Sequence, residues 1–211
     1  MKVYDDKHIK NIVLLGASKS GKTTLAETMM FEAGLINRRG TVEEGTTIMN
    51  AARKIGGEVV PPAMCYYTSL KGSGGKCRAC LVKVSQGSAK DPRPMPKLVA
   101  SCCTHVQDGM VVLNSTSPEV LETRRGIVEF LLVNHPLDCP ICDQGGECQL
   151  QDLAVGYGGS ISRYDEPKRV VPNKNLGPLI STDMTRCIHC TRCVRFGQEI
   201  AGVMELGMIG R

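Results

Sequence analysis

Apolar positions recur along the chain at two spacings, and each predicts its own kind of element. Ile12-Val13-Leu14-Leu15 is a short unbroken apolar run suited to a buried strand. Thr24 to Ala33 has helical composition, with Gly34 placed to end it. Ile48, Ala51, Ala52 and Ile55 fall at i, i+3, i+4 and i+7, which predicts a helix over 47–55 stopped by Gly56-Gly57. Leu81-Val82-Lys83-Val84 and Met110-Val111-Val112-Leu113 read as strands. Ser117-Pro118-Glu119 opens a second helix, with Ser as N-cap and Pro in the first turn. That helix carries Val120, Leu121, Ile127, Val128, Leu131 and Leu132. It should end by His135, because Pro136 disfavours helical geometry in the residue before it. Pro61-Pro62, Gly72-Ser73-Gly74-Gly75 and Asp91-Pro92-Arg93-Pro94-Met95-Pro96 are loops between these elements. There is no repeat of fixed period and no low-complexity tract.

Composition sharpens this picture at one point. A hydrophobic share of 42% and a charged share of 22% describe an ordinary globular chain, and 211 residues make one or two domains. The net charge of +5 comes from scattered basic residues, so it does not call for a nucleic acid partner. Aromatics are few, however, and the chain after Pro61 is rich in Gly, Pro and Cys. Lobes of that composition have thin cores and need cross-links or metals to stay folded. The eleven cysteines supply the means. The opening Met1-Lys2-Val3-Tyr4-Asp5-Asp6 is polar and has no apolar signal stretch behind it. No segment approaches the roughly 20 apolar residues that span a bilayer. The expectation is a cytoplasmic protein whose reduced, clustered thiols bind metal, and which meets a membrane only through partners.

Three groups of ligands use all the cysteines but one. The first is Cys65, then Cys77 and Cys80, then Cys102 or Cys103. A lone Cys, a close pair beyond a Gly-rich loop and a distant fourth is, in outline, the plant-type [2Fe–2S] arrangement, though spaced more widely. The glycines let backbone amides approach the sulfurs. The second group is His135, Cys139, Cys142 and Cys148. His135 sits where a helix stops, and Gly145-Gly146 lets the chain wrap tightly, so three thiolates and an imidazole can hold a [4Fe–4S] cluster. The third is Cys187, Cys190 and Cys193, whose two-residue gaps deliver each sulfur to a different iron corner. Val194-Arg195-Phe196-Gly197 follows where a two-cluster ferredoxin has Cys-Pro, so a fourth ligand must come from elsewhere. Either Cys103 is recruited or the chain is truncated, and truncation is the preferred reading. Zinc is the competing occupant of these sites, because Cys pairs, and a set of three cysteines with one histidine, also suit it. His8, His105 and His189 read as ordinary surface residues, and Cys103 as a small buried residue or free thiol.

Gly16-x4-Gly21-Lys22-Thr23, after a strand and before a helix, is a complete P-loop match. Gly16 and Gly21 would shape a backbone cradle for phosphates, Lys22 would reach the terminal phosphates and Thr23 would hold Mg2+. No strand ending in a metal-binding Asp and no base-reading motif follows. A relic fragment is therefore ranked above a working GTP and Mg2+ site.

Residues 1 to about 45 resemble the N-terminus of bacterial elongation factor G, a translational GTPase. From about Gly45 onward the chain resembles the N-terminal part of the large iron–sulfur subunit of NADH:quinone oxidoreductase, the 75 kDa subunit. The resemblance is carried by Gly75-Lys76-Cys77-Arg78-Ala79-Cys80-Leu81-Val82, by the run from Asn134-His135-Pro136 to Gly146-Glu147-Cys148, and by Met184-Thr185-Arg186-Cys187-Ile188-His189-Cys190-Thr191-Arg192-Cys193. Ile200-Ala201-Gly202-Val203 also fits. It implies that Cys65, Cys77, Cys80 and Cys102 hold a [2Fe–2S] cluster, with Cys102 preferred to Cys103 by the register of Ala100-Ser101-Cys102. It implies that His135, Cys139, Cys142 and Cys148 hold one [4Fe–4S] cluster, and that Cys187, Cys190 and Cys193 hold three corners of another whose fourth ligand lies beyond Arg211.

The implied fold is α+β. A β-grasp [2Fe–2S] ferredoxin-like domain spans 46–116. A small helical [4Fe–4S] domain with one histidine and three cysteine ligands spans 117–160, and a partial [4Fe–4S] ferredoxin-type domain spans 161–211. An incomplete P-loop α/β fragment over 1–45 would precede them. That fragment stands where the family has the leading hairpin of its β-grasp, which places a fusion seam near Gly40 to Thr47. The implied activity is electron transfer as a subunit of an oxidoreductase at the cytoplasmic face of the inner membrane. Other peripheral-arm subunits, including the flavin subunit, would be partners. The chain itself shows no G-x-G-x-x-G, so no NADH site is expected. Lys76, Arg78, Arg186, Arg192 and Arg195, beside the cysteines, either offset cluster charge or form a solvated surface. The competing readings are an iron-only hydrogenase front end, a GTP-binding translation-factor fragment and a zinc-binding interaction module.

Overall fold

The computed structural model describes residues 46–70 and 74–209. The strand, phosphate loop and helix expected before residue 46 lie outside the described residues, and Gly16, Gly21, Lys22 and Thr23 lie there with them. Residues Glu44–Arg211 form one compact unit.

The first helix, α1, is Ile48–Ile55, and it begins and ends for the reasons legible in its sequence. The Thr47 hydroxyl accepts from Asn50 N at 3.2 Å, which satisfies one orphan amide of the first turn. Gly56 closes the helix with φ 82, a left-handed position where only glycine is unstrained. Ile48 and Met49 are buried under the helix, and Ile55 faces solvent. Thr47→Ala should cost about 1 kcal/mol, the usual value of such a cap. Faster hydrogen exchange at the amides of Asn50 and Ala51 would report it, and unchanged exchange would exclude the cap as a contributor.

α1 packs against a three-stranded antiparallel sheet with β1, Leu81–Gln86, in the middle. On one side β2, Val99–Ala100, pairs Leu81 with Ala100 and Val82 with Val99. On the other, β3, Val111–Leu113, pairs Lys83 with Leu113 and Val84 with Val112. A register shift between Val84 and Gln86 marks a bulge. β1 alternates: Val82 and Val84 are fully buried against Ile48, while Leu81 and Lys83 are half-buried on the other side.

Ser117 then precedes α2, Pro118–Leu132, with Pro in the first turn as expected. The serine occupies the N-cap, but its hydroxyl makes no capping bond. Its carbonyl engages the helix instead, accepting from Val120 N and Leu121 N at 3.1 Å. α2 stops before Pro136, and its last carbonyls are taken by Lys168, whose Nζ donates to Leu132 O and Val133 O at 2.9 Å each. α3, Gln149–Tyr157, packs on α2 and buries Leu150 and Leu153 against it. A short helix α4, Arg192–Phe196, carries Cys193, the last cysteine, and runs into a wider turn over Gly197–Ala201.

The three regions named from the sequence share a core. Met64, Cys65, Cys77 and Ala79 pack with Val128 and Leu131 of α2 and with Leu150 and Leu153 of α3. Ile188 and Cys190 close over the same cluster. Cysteine thus stands where a larger apolar side chain would fill an ordinary core, which ties the fold to what the sulfurs hold.

Candidate metal centres

The first centre is built at one end of the sheet. Cys80 immediately precedes β1 and Cys102 closely follows β2, so the Leu81–Ala100 pair brings them together. Their sulfurs are 3.4 Å apart. Cys77 is presented by the turn before β1, in which Arg78 adopts φ 60. Cys65 N donates to Cys77 Sγ at 3.5 Å. None of Cys65, Cys77, Cys80 and Cys102 is more than 2% exposed. Packed this closely, the thiols share protons. The Cys102 and Cys77 thiols donate to Cys65 and hold it far below the thiol range. Cys102 likewise lowers Cys80 to about 6. Cys77 and Cys102 are raised in turn, chiefly by the Cys65 sulfur they donate to. Two of the four sulfurs are thus lowered and two raised, and a bound cation would let all four ionise in one buried pocket.

Two glycines keep that pocket open. A Cβ on Gly74 would lie 3.0 Å from Cys65 Sγ, and one on Gly75, at φ +53, would lie 2.8 Å from Cys103 Sγ. Cys103 Sγ is 3.6 Å from Cys102 Sγ, yet Cys103 is exposed where Cys102 is fully buried. Burial therefore separates the two candidates that spacing alone left open.

The second centre is a cavity of about 100 Å³. His135, Cys139, Cys142 and Cys148 all line it, with Leu132, Leu150 and Ala154 as its apolar wall. The end of α2 places His135, whose N donates to Leu132 O at 3.1 Å. A tight turn over Cys139–Ile141 carries the first thiol, and Cys148 is the N-cap of α3. Gly145 lets the loop close: a Cβ there would lie 2.9 Å from Cys139 O. Gly146 turns the chain at φ +87. Burial lowers the His135 pKa, and Lys168 and Arg186 lower it further against Asp138. The imidazole is thus neutral near pH 7, with a lone pair to give. Three soft sulfurs and one imidazole around a half-open, largely apolar space fit an iron–sulfur cage in chemistry.

The third group is more open. Cys187 and Cys190 are half-buried and Cys193 is exposed. His189 N donates to Cys187 Sγ at 3.4 Å, and left-handed turns at His189, φ 54, and Thr191, φ 62, wind the segment. Its arginines join it to the other two centres. Arg186 pairs with Asp138 at 3.2 Å and with Asp183 at 3.1 Å, and it lines the second cavity. Arg192 donates to Gln149 Oε1 at 2.8 Å and to Tyr66 O at 3.4 Å. Arg195 donates to Cys65 O. These three cations are tied into the fold by hydrogen bonds and ion pairs.

Sequence reasoning missed Arg124 and Lys168. Lys168 leaves no trace in the local pattern, because it reaches its carbonyls from a distant loop. Arg124 does leave one: Val120, Arg124, Val128 and Leu131 share the buried face of α2, so a charge interrupts an apolar stripe.

A thiol quartet at a sheet end, beside a cavity lined by three thiols and an imidazole, defines an iron–sulfur protein. Comparison with known families agrees. Residues 37–117 match a 2Fe-2S iron-sulfur cluster binding domain. Residues 124–163 match the NADH-ubiquinone oxidoreductase-G iron-sulfur binding region. Residues 177–211 match the ferredoxin-like domain of NADH-quinone oxidoreductase subunit 3. The chain is 54% identical over 170 residues to the NADH-ubiquinone oxidoreductase 75 kDa subunit of Reclinomonas americana, covering 81% of this chain and 23% of that protein. It is 52% identical to the G subunit of NADH-quinone oxidoreductase from Rickettsia bellii, again covering 81% and 23%. Over 197 residues it is 47% identical to the mitochondrial NADH-ubiquinone oxidoreductase 78 kDa subunit of Neurospora crassa, covering 92% and 25%. An NAD+-reducing [NiFe]-hydrogenase solved in the H2-reduced state matches with a TM-score of 0.63 and 29% identity, over 78% of this chain and 64% of that one. The chain belongs to the family of the NADH-quinone oxidoreductase 75 kDa subunit, also called the G subunit. It spans about a quarter of the length of the curated relatives it matches.

Proposed function

We propose that the chain relays electrons through iron–sulfur clusters as part of an NADH:quinone oxidoreductase. Cys65, Cys77, Cys80 and Cys102 hold a [2Fe–2S] cluster, and His135, Cys139, Cys142 and Cys148 hold a [4Fe–4S] cluster. Cys187, Cys190 and Cys193 hold three corners of a second [4Fe–4S] cluster. The observation that carries this reading is the single cavity lined by His135 and all three cysteines of its group. When bound, such clusters take up and release one electron at a time. The chain's own residues hold the sulfurs at fixed positions, exclude water from the first centre by burial and set the local charge.

The partners are other peripheral subunits of the complex, among them the one that carries flavin, so that NADH is oxidised elsewhere. Exposed apolar side chains such as Leu137, Ile141, Val155 and Leu179 support a chain that docks against other subunits. No helix among the described residues is long and apolar enough to cross a membrane. This is in keeping with a peripheral position at the cytoplasmic face of the inner membrane, reached through the complex.

Anaerobic reconstitution with iron and sulfide tests the proposal. The full chain should gain acid-labile sulfide and reduced-state EPR signals of both cluster types. Cys80→Ala should remove the [2Fe–2S] signal alone, and Cys148→Ala that of the His-ligated cluster alone. A colourless zinc protein without labile sulfide would overturn the reading, and so would signals indifferent to both substitutions.

A further inference from the structure

Arg124 is the largest fully buried side chain of the described residues, and a buried cation needs a reason. Its exposure is 1%. Its Nε donates to Ala79 O at 3.2 Å and its Nη2 to Leu81 O at 3.3 Å. Those two carbonyls flank Cys80. Nη2 also donates to Asn114 Oδ1 at 2.8 Å, and the guanidinium lies 4.6 Å from the centre of the Tyr157 ring. Nη1 has no hydrogen-bond partner among the described residues. All these partners are neutral, and among the described residues no carboxylate pairs with Arg124. Burial lowers its pKa, with Tyr157 and the Cys80 sulfur opposing, but arginine starts so high that it stays charged.

A structural strut alone does not need that charge. Two carbonyls and an amide oxygen are acceptors that a neutral donor also satisfies, at a smaller desolvation cost. Its two carbonyl bonds enclose Cys80, a member of the thiol quartet, and a cluster held there would set negative charge against the buried guanidinium. A [2Fe–2S] cluster on four thiolates is anionic when oxidised, and reduction adds one more negative charge. A fixed cation in a low-dielectric surround favours the more negative state, and burial leaves it little screened by salt.

We propose that Arg124 is a positioning residue of the first centre: it clamps the two carbonyls around Cys80, and its buried charge favours the reduced state of the [2Fe–2S] cluster held there. The proposal rests on the assignment of that cluster to Cys65, Cys77, Cys80 and Cys102. It makes the potential of the first centre a property of α2, whose sequence carries none of the ligands.

The test is a redox titration of the cluster-loaded full chain, following the [2Fe–2S] EPR signal in Arg124→Met, Arg124→Lys and wild type. Labile sulfide and the signal itself check the cluster assignment, and the midpoint checks Arg124. Arg124→Met should shift the reduction equilibrium about tenfold toward the oxidised state, about 59 mV for one electron. Arg124→Lys should restore most of that shift, and the His-ligated cluster should be unaffected in both. An intact signal with an unchanged midpoint in Arg124→Met overturns the proposal, as does a Lys variant that behaves like Met. If the Met variant does not load iron, Asn114→Asp decides, because it keeps every bond of Arg124 and sets a carboxylate against its charge. Its midpoint should fall while that of Asn114→Ser stays near wild type. Equal midpoints in those two would leave the charge without a role.

Discussion

Stripped of iron by a chelator and an oxidant, the protein should lose the hydrogen-exchange protection of β1 and its cooperative melt together. The reason lies in what fills the core. Cys65 and Cys77 belong to one apolar cluster and Cys80 and Cys102 to the next, all four fully or almost fully buried. The sheet they hold is small: β2 has two residues and β3 three. A sheet of that size has few ladder bonds and little apolar area of its own. Metal ligation in small folds contributes on the order of 10 kcal/mol or more. Whole domains are stable by only about 5–15 kcal/mol. Removing the metal therefore consumes most or all of the margin, and it leaves several thiols that cannot all ionise in one dry pocket. Exchange at the amides of Val82 and Val84 is the measurement to make, because it reports this unit and no other part of the chain. Protection that survives complete iron loss would mean that the packing stands without the clusters, and the link between sulfur and core would fail.

Much of this architecture is legible in the sequence, for reasons that differ from one element to the next. α1 shows itself through the spacing of Ile48 and Ala52, which are buried, and through Gly56, whose stop is chemical, although Ile55 of the same stripe faces solvent and Met49 is buried instead. The end of α2 shows itself through Pro136. The second centre is the most readable site, since its four donors lie within one short stretch and their cavity is built almost wholly from local turns. β2 is too short to produce a period and exists only because β1 pairs with it. α4 is also brief, and nothing local announces it. The difference in burial between Cys102 and Cys103 is a tertiary property, which spacing cannot carry. The bonds from Arg192 to Tyr66 and from Arg195 to Cys65 join residues 126 and 130 positions apart, which no pattern within a motif can reveal. The boundary of what could be read is thus the reach of local chain geometry. Ligand types and spacings are local, whereas the charges that tune them arrive from elsewhere in the fold.

Replacing His135 should separate cluster retention from cluster potential more sharply than any cysteine substitution. In His135→Ala the second cavity keeps three thiols and loses its fourth donor, so one iron corner has no protein ligand. The expected product is a cluster with one iron fewer, seen as a [3Fe–4S] signal when oxidised and as a drop of one iron in the count per chain. His135→Cys restores a fourth donor of the type the other corners already have, so four irons should be retained. Its potential should fall, because a thiolate adds a negative charge where the neutral imidazole added none, and the oxidised state is then favoured. The gap between histidine-ligated and all-cysteine centres sets the scale of that fall at on the order of 100 mV. The wild-type site should also load well as the pH drops toward 6.5, the usual histidine value. Burial holds the His135 pKa below it, so the imidazole stays deprotonated over that range. In an exposed histidine the competing proton would already weaken loading there. Unaltered iron content and EPR in His135→Ala would remove the imidazole from the ligand set, and the cavity would then have to find its fourth donor among the other side chains that line it.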